Sequence, residues 1–478
     1  MSTVALFVLV YMVLMIPISF YASRFVKNTN DYVLAGRNLP LYMALATVFA
    51  TWLGSDSILG ASSYMAQGGL LNVISDPFGA GLCLVLIGLF FARKLYVLNH
   101  LTIGDYLTHR FNKTIGTILS LAIVLTYFGW VAAQFVALGL VMHWVFGTPL
   151  IAGIIVSAAI VVMYTYIGGM WSVVMHDLVQ TTVIIVGLVI ILIQVSINMG
   201  GISNIISATP PEFFNFIPEQ STSAWLAYIA AWMAIGLGSI PQQDVYQRVM
   251  SAKSAKIAQW ASIGGGLLYF TIVLIPLVLG LAAAQLYPEL LAEGADSQLL
   301  LPTLIGENTN IVVQIAFFGA LLSAIMSTAS AALLAPATLV AENIVKPFFP
   351  HITDKYRMHL IQTSIVVVAL GAIVLAIQQG DIYELVGSAY SITLVTALVP
   401  LTFGLYWKKA NNLGAMLAII FGFVTWQYLG RTLPEEYVDA STIVGFLMSI
   451  FGMLVGVGMT HVHKHIKGEK VPAPARIG

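Results

Sequence analysis

The chain has 478 residues, of which 59% are hydrophobic and only 8% charged, and its formal net charge is zero. Soluble domains carry roughly 25% charged residues, so this composition, with a mean hydropathy of +0.92, excludes a soluble globular protein. The balanced charge argues against a nucleic-acid partner, and the single cysteine, Cys83, excludes intrachain disulfides and cysteine-rich metal sites.

At about 20 residues per membrane crossing, the apolar runs predict thirteen spans: 4–24, 41–67, 72–98, 115–146, 149–168, 171–199, 223–247, 255–286, 309–343, 358–379, 382–406, 411–430 and 441–462. The first is not a cleaved leader, because Arg24 and Lys27 follow it and no basic region precedes it. The second is interrupted at Gly54-Ser55-Asp56-Ser57. The third carries Asp76-Pro77 near its start, and the fourth carries Trp130 and Gln134. Gly168-Gly169 read as a tight turn between the fifth and sixth spans. Asp177 lies about two turns inside the sixth, where a carboxylate is expensive and calls for a function or a partner.

The seventh span breaks at Gly236-Leu237-Gly238-Ser239-Ile240-Pro241, and Asp244 and Arg248 at its end are spaced for an intrahelical ion pair. The ninth carries Ser323, Ser327, Thr328 and Ser330, and Glu342 at its inner end is expected to face water. His461, His463 and His465 read as a solvated basic end.

Lysine and arginine collect on the cytoplasmic side of membrane proteins. With the N-terminus outside, 19 of these residues fall in cytoplasmic segments and only Arg431 outside, while the outer loops 200–222 and 287–308 hold acids and no base. The C-terminus is then cytoplasmic. A single transmembrane domain is expected over 1–478, with a cytoplasmic tail at 464–478. Spans two to six (41–199) and seven to eleven (223–406) each begin with a broken helix, and an odd number of spans per unit inverts the second unit. Matched broken helices mark the ligand site of a secondary transporter, because exposed backbone is tolerated at membrane depth only where it lines a cavity or binds something.

Several stretches resemble the sodium:solute symporter family: Ala50-Thr-Trp-Leu-Gly-Ser-Asp56 with Gly60, Tyr164-Thr-Tyr-Ile-Gly-Gly169, Ser172-Val-Val-Met-His-Asp177 with Gln180, Pro241-Gln-Gln-Asp-Val-Tyr-Gln-Arg248, and Ser323-Ala-Ile-Met-Ser-Thr328. The likeness runs from about residue 1 to 465 in family order, and is nearer the choline- and proline-transporter branches than the sugar transporters. It implies an all-α polytopic membrane protein with a five-plus-five inverted repeat, a leucine-transporter-like core and broken second and seventh helices.

A helix that unwinds at Gly54 frees the carbonyls of Ala50 and Leu53, and hard cations take such oxygens. The resemblance implies a sodium site made of these two, the Ala324 carbonyl and the Ser327 and Thr328 hydroxyls. The residues alone also allow these hydroxyls to bond back to their own helix. In some family members the acid matching Asp177 helps bind a second sodium. Ser327 and Ser330 are available to it here, but Ala331 replaces an expected hydroxyl, which leaves Asp177 and Ser330 as a second sodium site or a proton site, with Asp177 otherwise tuning the first site or capped by polar neighbours.

The expected solute site comprises Trp52, Asp56, Asp76, Trp130, Gln134, Gln242 and Gln243. Trp52 and Trp130 match part of the choline-transporter cage, and tryptophan faces attract organic cations. Gln242 stands where those transporters place a further tryptophan. Asp56 resembles an acid of proline members, and Asp76 falls near a substrate-contacting acid of sugar members; its plainer reading is a helix cap near the outer surface. Two acids and no base favour a cationic or zwitterionic solute.

The expected function is sodium-coupled import of a small organic solute across the inner membrane of a bacterium, with sodium as coupling ion and no organic cofactor. A proton-coupled transporter of the same fold and a transporter-like sensor are the alternatives. An enzyme is not expected, since neither HExxH nor GxSxG occurs and His176 and Asp177 point apart on a helix.

Overall fold

Apolar segments surrounded by lipid satisfy their backbone internally by forming helices. The computed structural model describes residues 2–349, 351–378 and 382–466, and over them it is helical with short connections. Among the described residues the sole extended pairing is an isolated parallel bridge between Leu39 and Ala252. The predicted tail 464–478 lies outside the described residues from 467 onward.

Short polar side chains open many of the helices by accepting from amides that a helix start leaves unpaired. Ser2 accepts from Ala5, Asn112 from Ile115, Ser254 from Ile257, Asn310 from Val312 and Val313, and Asn411 from Gly414. Thr102 and Asp105 form a reciprocal capping box at the start of Ile103–Arg110.

Nine helices among the described residues are long and apolar enough to cross a membrane, and eleven if each of two bent pairs is one span. The 49-residue stretch Leu150–Asn198 joins two predicted spans through Gly169, whose φ of 51° reverses the chain. A Cβ at Gly169 would lie 2.4 Å from the Tyr32 carbonyl oxygen, so the turn needs glycine for both conformation and space. The Tyr32 hydroxyl donates to the carbonyls of Thr165 (3.2 Å) and Tyr166 (2.9 Å) just before this turn.

Both predicted breaks are present. Leu41–Trp52 bends by 57° into Asp56–Gly68, and Thr222–Gly238 bends by 45° into Gln243–Ser251. Leu53 leaves the helix at φ −89° and ψ 83°. At the second break Pro241 offers no amide hydrogen to continue a helix, and Gln242 is extended. The start of the first and the end of the second are tied together by the bridge: Leu39 N–H donates to the Ser251 carbonyl (3.0 Å) and Lys253 N–H to the Leu39 carbonyl (2.9 Å).

Ile311–Leu339 is the central helix, buried at every residue from Phe317 to Leu339. It packs on Leu150–Asn198, Lys113–Phe146, Thr3–Ser23 and Leu41–Trp52. Tyr11 of the first helix bonds Ser323 of the central one. The last two helices, Asn412–Thr432 and Ala440–Ile466, pack chiefly against each other and expose Phe423, Val424, Leu447 and Phe451, as helices bordered by lipid do.

One expectation fails here. Glu342 does not face water: it is buried and accepts from Lys346 (2.7 Å) and from Arg357 Nε and Nη2 (2.8 and 2.7 Å). The π-helical turn Val340–Val345 carries it toward these cations, and a paired carboxylate tolerates burial that an unpaired one does not.

Candidate functional site

The first break and the central helix meet through oxygen atoms. Thr328 Oγ1 donates to the Thr51 carbonyl (2.9 Å) and approaches the Ala50 carbonyl (3.4 Å). Ser327 Oγ donates to Asp177 Oδ1 (2.5 Å), and Thr47 donates to the other carboxylate oxygen. Asp177 therefore joins three elements that are remote in sequence. Leu53 sits at the break itself and Ala324 one turn before Thr328, both fully buried. Ser330 turns back to the Ser327 carbonyl (2.9 Å) instead of reaching Asp177. His176 points away, to the Met15 carbonyl (2.9 Å) and Ser19 (3.3 Å).

Gly54 is the hinge of this arrangement. A Cβ there would meet Asp56 Oδ1 at 2.6 Å, and Gln134 Oε1 and Thr328 Cγ2 at 3.1 Å each. Gln134 caps the unwound chain, accepting from Ser55 N–H (3.0 Å) and donating weakly to Asp56 Oδ1 (3.4 Å).

Asp76 is no surface cap. It is 2% exposed and accepts from Ser57 Oγ (3.0 Å) and from the Tyr269 hydroxyl, while Ser57 and Tyr269 bond each other at 2.7 Å. The Tyr383 hydroxyl donates to the Asp76 carbonyl (3.2 Å). Tyr269 and Tyr383 are absent from the expected site, and Ser57 is expected only as part of the break. Ser57 adjoins the quoted Asp56, which was a usable signal, whereas the tyrosines sit in apolar spans without a motif.

The two tryptophans have different neighbours. Trp130 lies against Tyr127 (5.9 Å between ring centroids) and Tyr390 (6.3 Å). Trp52 instead borders a gap of about 10 Å³ with Val245, Arg248 and Ser262. Gln242 is held in the wall by Thr126 (3.0 Å) and Thr393 (3.3 Å). Gln243 Oε1 accepts from Ile103 N–H (2.9 Å), satisfying an amide that the start of that helix leaves free, while its Nε2 has no protein partner.

Asp244 and Arg248 form no side-chain ion pair. Asp244 Oδ1 accepts from Tyr127 (2.5 Å), and Arg248 Nε and Nη2 fork onto Thr51 Oγ1 (3.1 and 2.9 Å). Arg248 reaches only the backbone carbonyl of Asp244 (3.2 Å). Cross-helix partners thus replace the local pair and bind the second broken helix to the first. Around the breaks the buried atoms Ser55 Oγ, Trp130 Nε1, Ser239 Oγ and Asp244 Oδ2 have no protein partner, and buried polar groups left so are free to bond water, an ion or a ligand.

A cavity of about 740 Å³ is lined by Asn72, Ser75, Tyr228, Asp439, Tyr64 and Tyr383. The last two rings stack at 4.3 Å. Tyr383 both lines this vestibule and bonds the Asp76 backbone, so the pair lies between the vestibule and the acids.

A profile of the sodium:solute symporter family matches residues 32–422. The chain is 28% identical to high-affinity choline transporter 1 of Caenorhabditis elegans, covering 83% of this chain and 70% of the relative. It is 27% identical to an osmoregulated proline transporter of Bacillus subtilis, covering 94% and 93%. The sodium/pantothenate symporter of Escherichia coli is also 27% identical, with coverage of 93% and 94%. Among solved structures, a sodium-coupled sialic acid symporter superposes with a TM-score of 0.82 at 21% identity, covering 96% of this chain and 98% of that one. A nucleobase-cation-symport-1 transporter superposes at 0.56 and 17% identity, with coverage of 90% and 95%. The fold is that of leucine-transporter-like sodium symporters.

Proposed function

The chain belongs to the sodium:solute symporter family, and from that premise we propose that it imports a small cationic or zwitterionic solute, an amine or an amino acid, together with sodium. The observation that carries the ion assignment is the meeting of Thr328 with the Ala50 and Thr51 carbonyls beside the Ser327–Asp177 bond. Sodium needs oxygen lone pairs. Ser327 gives its hydrogen to Asp177, which leaves lone pairs for an ion. Thr328 has only to rotate its hydrogen off the carbonyls to offer the same. With Leu53 and Ala324 these residues make the five-ligand set, and Asp177 acts as a positioning residue that orients Ser327 and supplies charge. Ala331 and the inward-turned Ser330 favour one sodium per cycle.

For the solute, buried Asp56 and Asp76 accept only from neutral groups among the described residues. Negative charge beside Trp130, Tyr390 and Gln134 suits an ammonium group. Choline and proline, named for two relatives, carry one; pantothenate has no such group.

In this reading thirteen crossings place the N-terminus outside and the C-terminus in the cytoplasm, and the inverted units are 41–199 and 223–406 of a single plasma-membrane domain. Sodium ties the first broken helix to the central helix, and rocking of the bundle then opens both ligands inward. Each ligand raises the other's affinity by the same factor, and the potential adds about 2.3 kcal/mol per charge per 100 mV. Uptake into proteoliposomes tests the proposal. An amine or amino acid that follows an imposed sodium gradient supports it; uptake that follows a proton gradient without sodium replaces it with proton coupling through Asp177 or Asp56.

A further inference from the structure

The described backbone has only three non-glycine residues with positive φ, namely Ala35 (49°), Arg37 (57°) and Asn99 (54°), and Gly36 (63°) lies between the first two. Left-handed backbone is unfavourable for an L residue, and such outliers gather where the surroundings need a side chain held in a particular place. Arg37 and Asn99 both line a polar crevice of about 450 Å³, and Ala35 lies two residues before Arg37.

The guanidinium of Arg37 lies 4.3 Å from the centroid of the Tyr96 ring, donates to the Tyr96 carbonyl (3.0 Å) and bonds Asn99 Oδ1. Arg357 lines the same crevice. Its Nε and Nη2 are committed to Glu342, while Nη1 makes only a 3.9 Å approach to Asp354. Asn28, Asn30 and His100 complete the donor-rich wall. Asp354, the one carboxylate in the lining, accepts from Thr29 N–H at 3.0 Å. Two guanidinium groups beside several primary amides match the oxygens of a phosphate.

The crevice opens where Thr3–Ser23 and Ala92–Leu98 end and Asp354–Gln378 begins, on the face that the basic residues mark as cytoplasmic. Next to its lining residues in the chain are the exposed ring of Tyr356 and exposed Lys27 and Lys355. Rings of this kind anchor at the level of lipid headgroups, and basic pockets at that level take anionic headgroups.

We propose that this crevice binds the phosphate of an anionic phospholipid of the cytoplasmic leaflet, with Arg37 and Arg357 as its cationic contacts. Leu39, two residues beyond Arg37, carries the bridge to Ser251 and Lys253. A bound headgroup therefore braces the inner ends of both broken helices. The site is independent of which solute or ion is carried.

The test is the thermal midpoint of the purified full-length protein in detergent, titrated with phosphatidylglycerol, with phosphatidylcholine of the same chains, or with inorganic phosphate. Phosphatidylglycerol should raise the midpoint saturably and phosphatidylcholine should not. Arg37→Gln should weaken the effect about five-fold, the value of one basic contact near a membrane surface. Asn30→Asp is a second variant that does not disturb packing, because Asn30 is exposed at a helix start where an acid is tolerated; its charge should also weaken the lipid effect. An equal response to inorganic phosphate, lost in both variants, would overturn the lipid as the source of the phosphate. No preference over phosphatidylcholine, or a preference that both variants retain, would overturn the site.

Discussion

Asp177→Asn separates an electrostatic role for this carboxylate from a merely structural one. The side chain is buried between Thr47 and Ser327, with Ser327 Oγ 2.5 Å from Oδ1. A sodium ion held by Ser327 would sit about 2.4 Å beyond that oxygen, as hard cations of its size do, and so about 5 Å from the carboxylate. Two unit charges about 5 Å apart attract by about 3 kcal/mol at an effective dielectric constant of about 20. Asparagine keeps the shape and one acceptor oxygen but no charge. The variant should therefore bind sodium about 100-fold more weakly, while its stability in potassium stays close to that of the parent. The assay is a sodium titration of the thermal midpoint at constant ionic strength, with potassium as the balancing cation. An affinity within about three-fold of the parent, in a protein where Thr328→Ala abolishes the sodium effect, would refute the charge argument.

Gly54→Ala should destabilise by about 1–3 kcal/mol through overpacking and weaken sodium binding, because its Cβ would press on Asp56, Gln134 and Thr328; chemical denaturation and the same titration measure both. Tyr269→Phe deletes a donor to the buried Asp76 carboxylate and should cost about 1.5–3 kcal/mol, read from the unfolding midpoint. Arg248→Lys keeps the charge but loses the fork onto Thr51. A loss of about 1–2 kcal/mol is expected, and an unchanged midpoint would show that the fork contributes nothing.

The broken helices were legible because glycine, serine and proline inside an apolar run have no helical purpose at membrane depth, and Gly54 and Pro241 are where the chain bends. Composition likewise marked the chain as helical and membrane-spanning. Side-chain partners were less accessible. Asp244 and Arg248 have the spacing of a helix pair, yet their side chains bond across helix interfaces, to Tyr127 and Thr51, which no local pattern announces. Glu342 looked solvated because one of its two cations, Arg357, arrives from the next helix, although the other, Lys346, is only four residues on. Gln243 shares a dipeptide with Gln242 but bonds a different helix, at the Ile103 amide. The Ser57–Asp76–Tyr269 cluster brings together three elements, and a tyrosine in an apolar span carries no sign of where its hydroxyl points. Local chemistry thus located the breaks, while long-range packing decided which polar groups converge on them.

The decisive measurement is the thermal midpoint of the purified protein in sodium against potassium across a panel of amines, amino acids, sugars and carboxylates, since a ligand that binds the folded state raises it by mass action. Sodium-dependent symport predicts that an amine or amino acid shifts the midpoint only when sodium is present. A solute shift of equal size in potassium, or one governed by pH instead, would contradict sodium coupling.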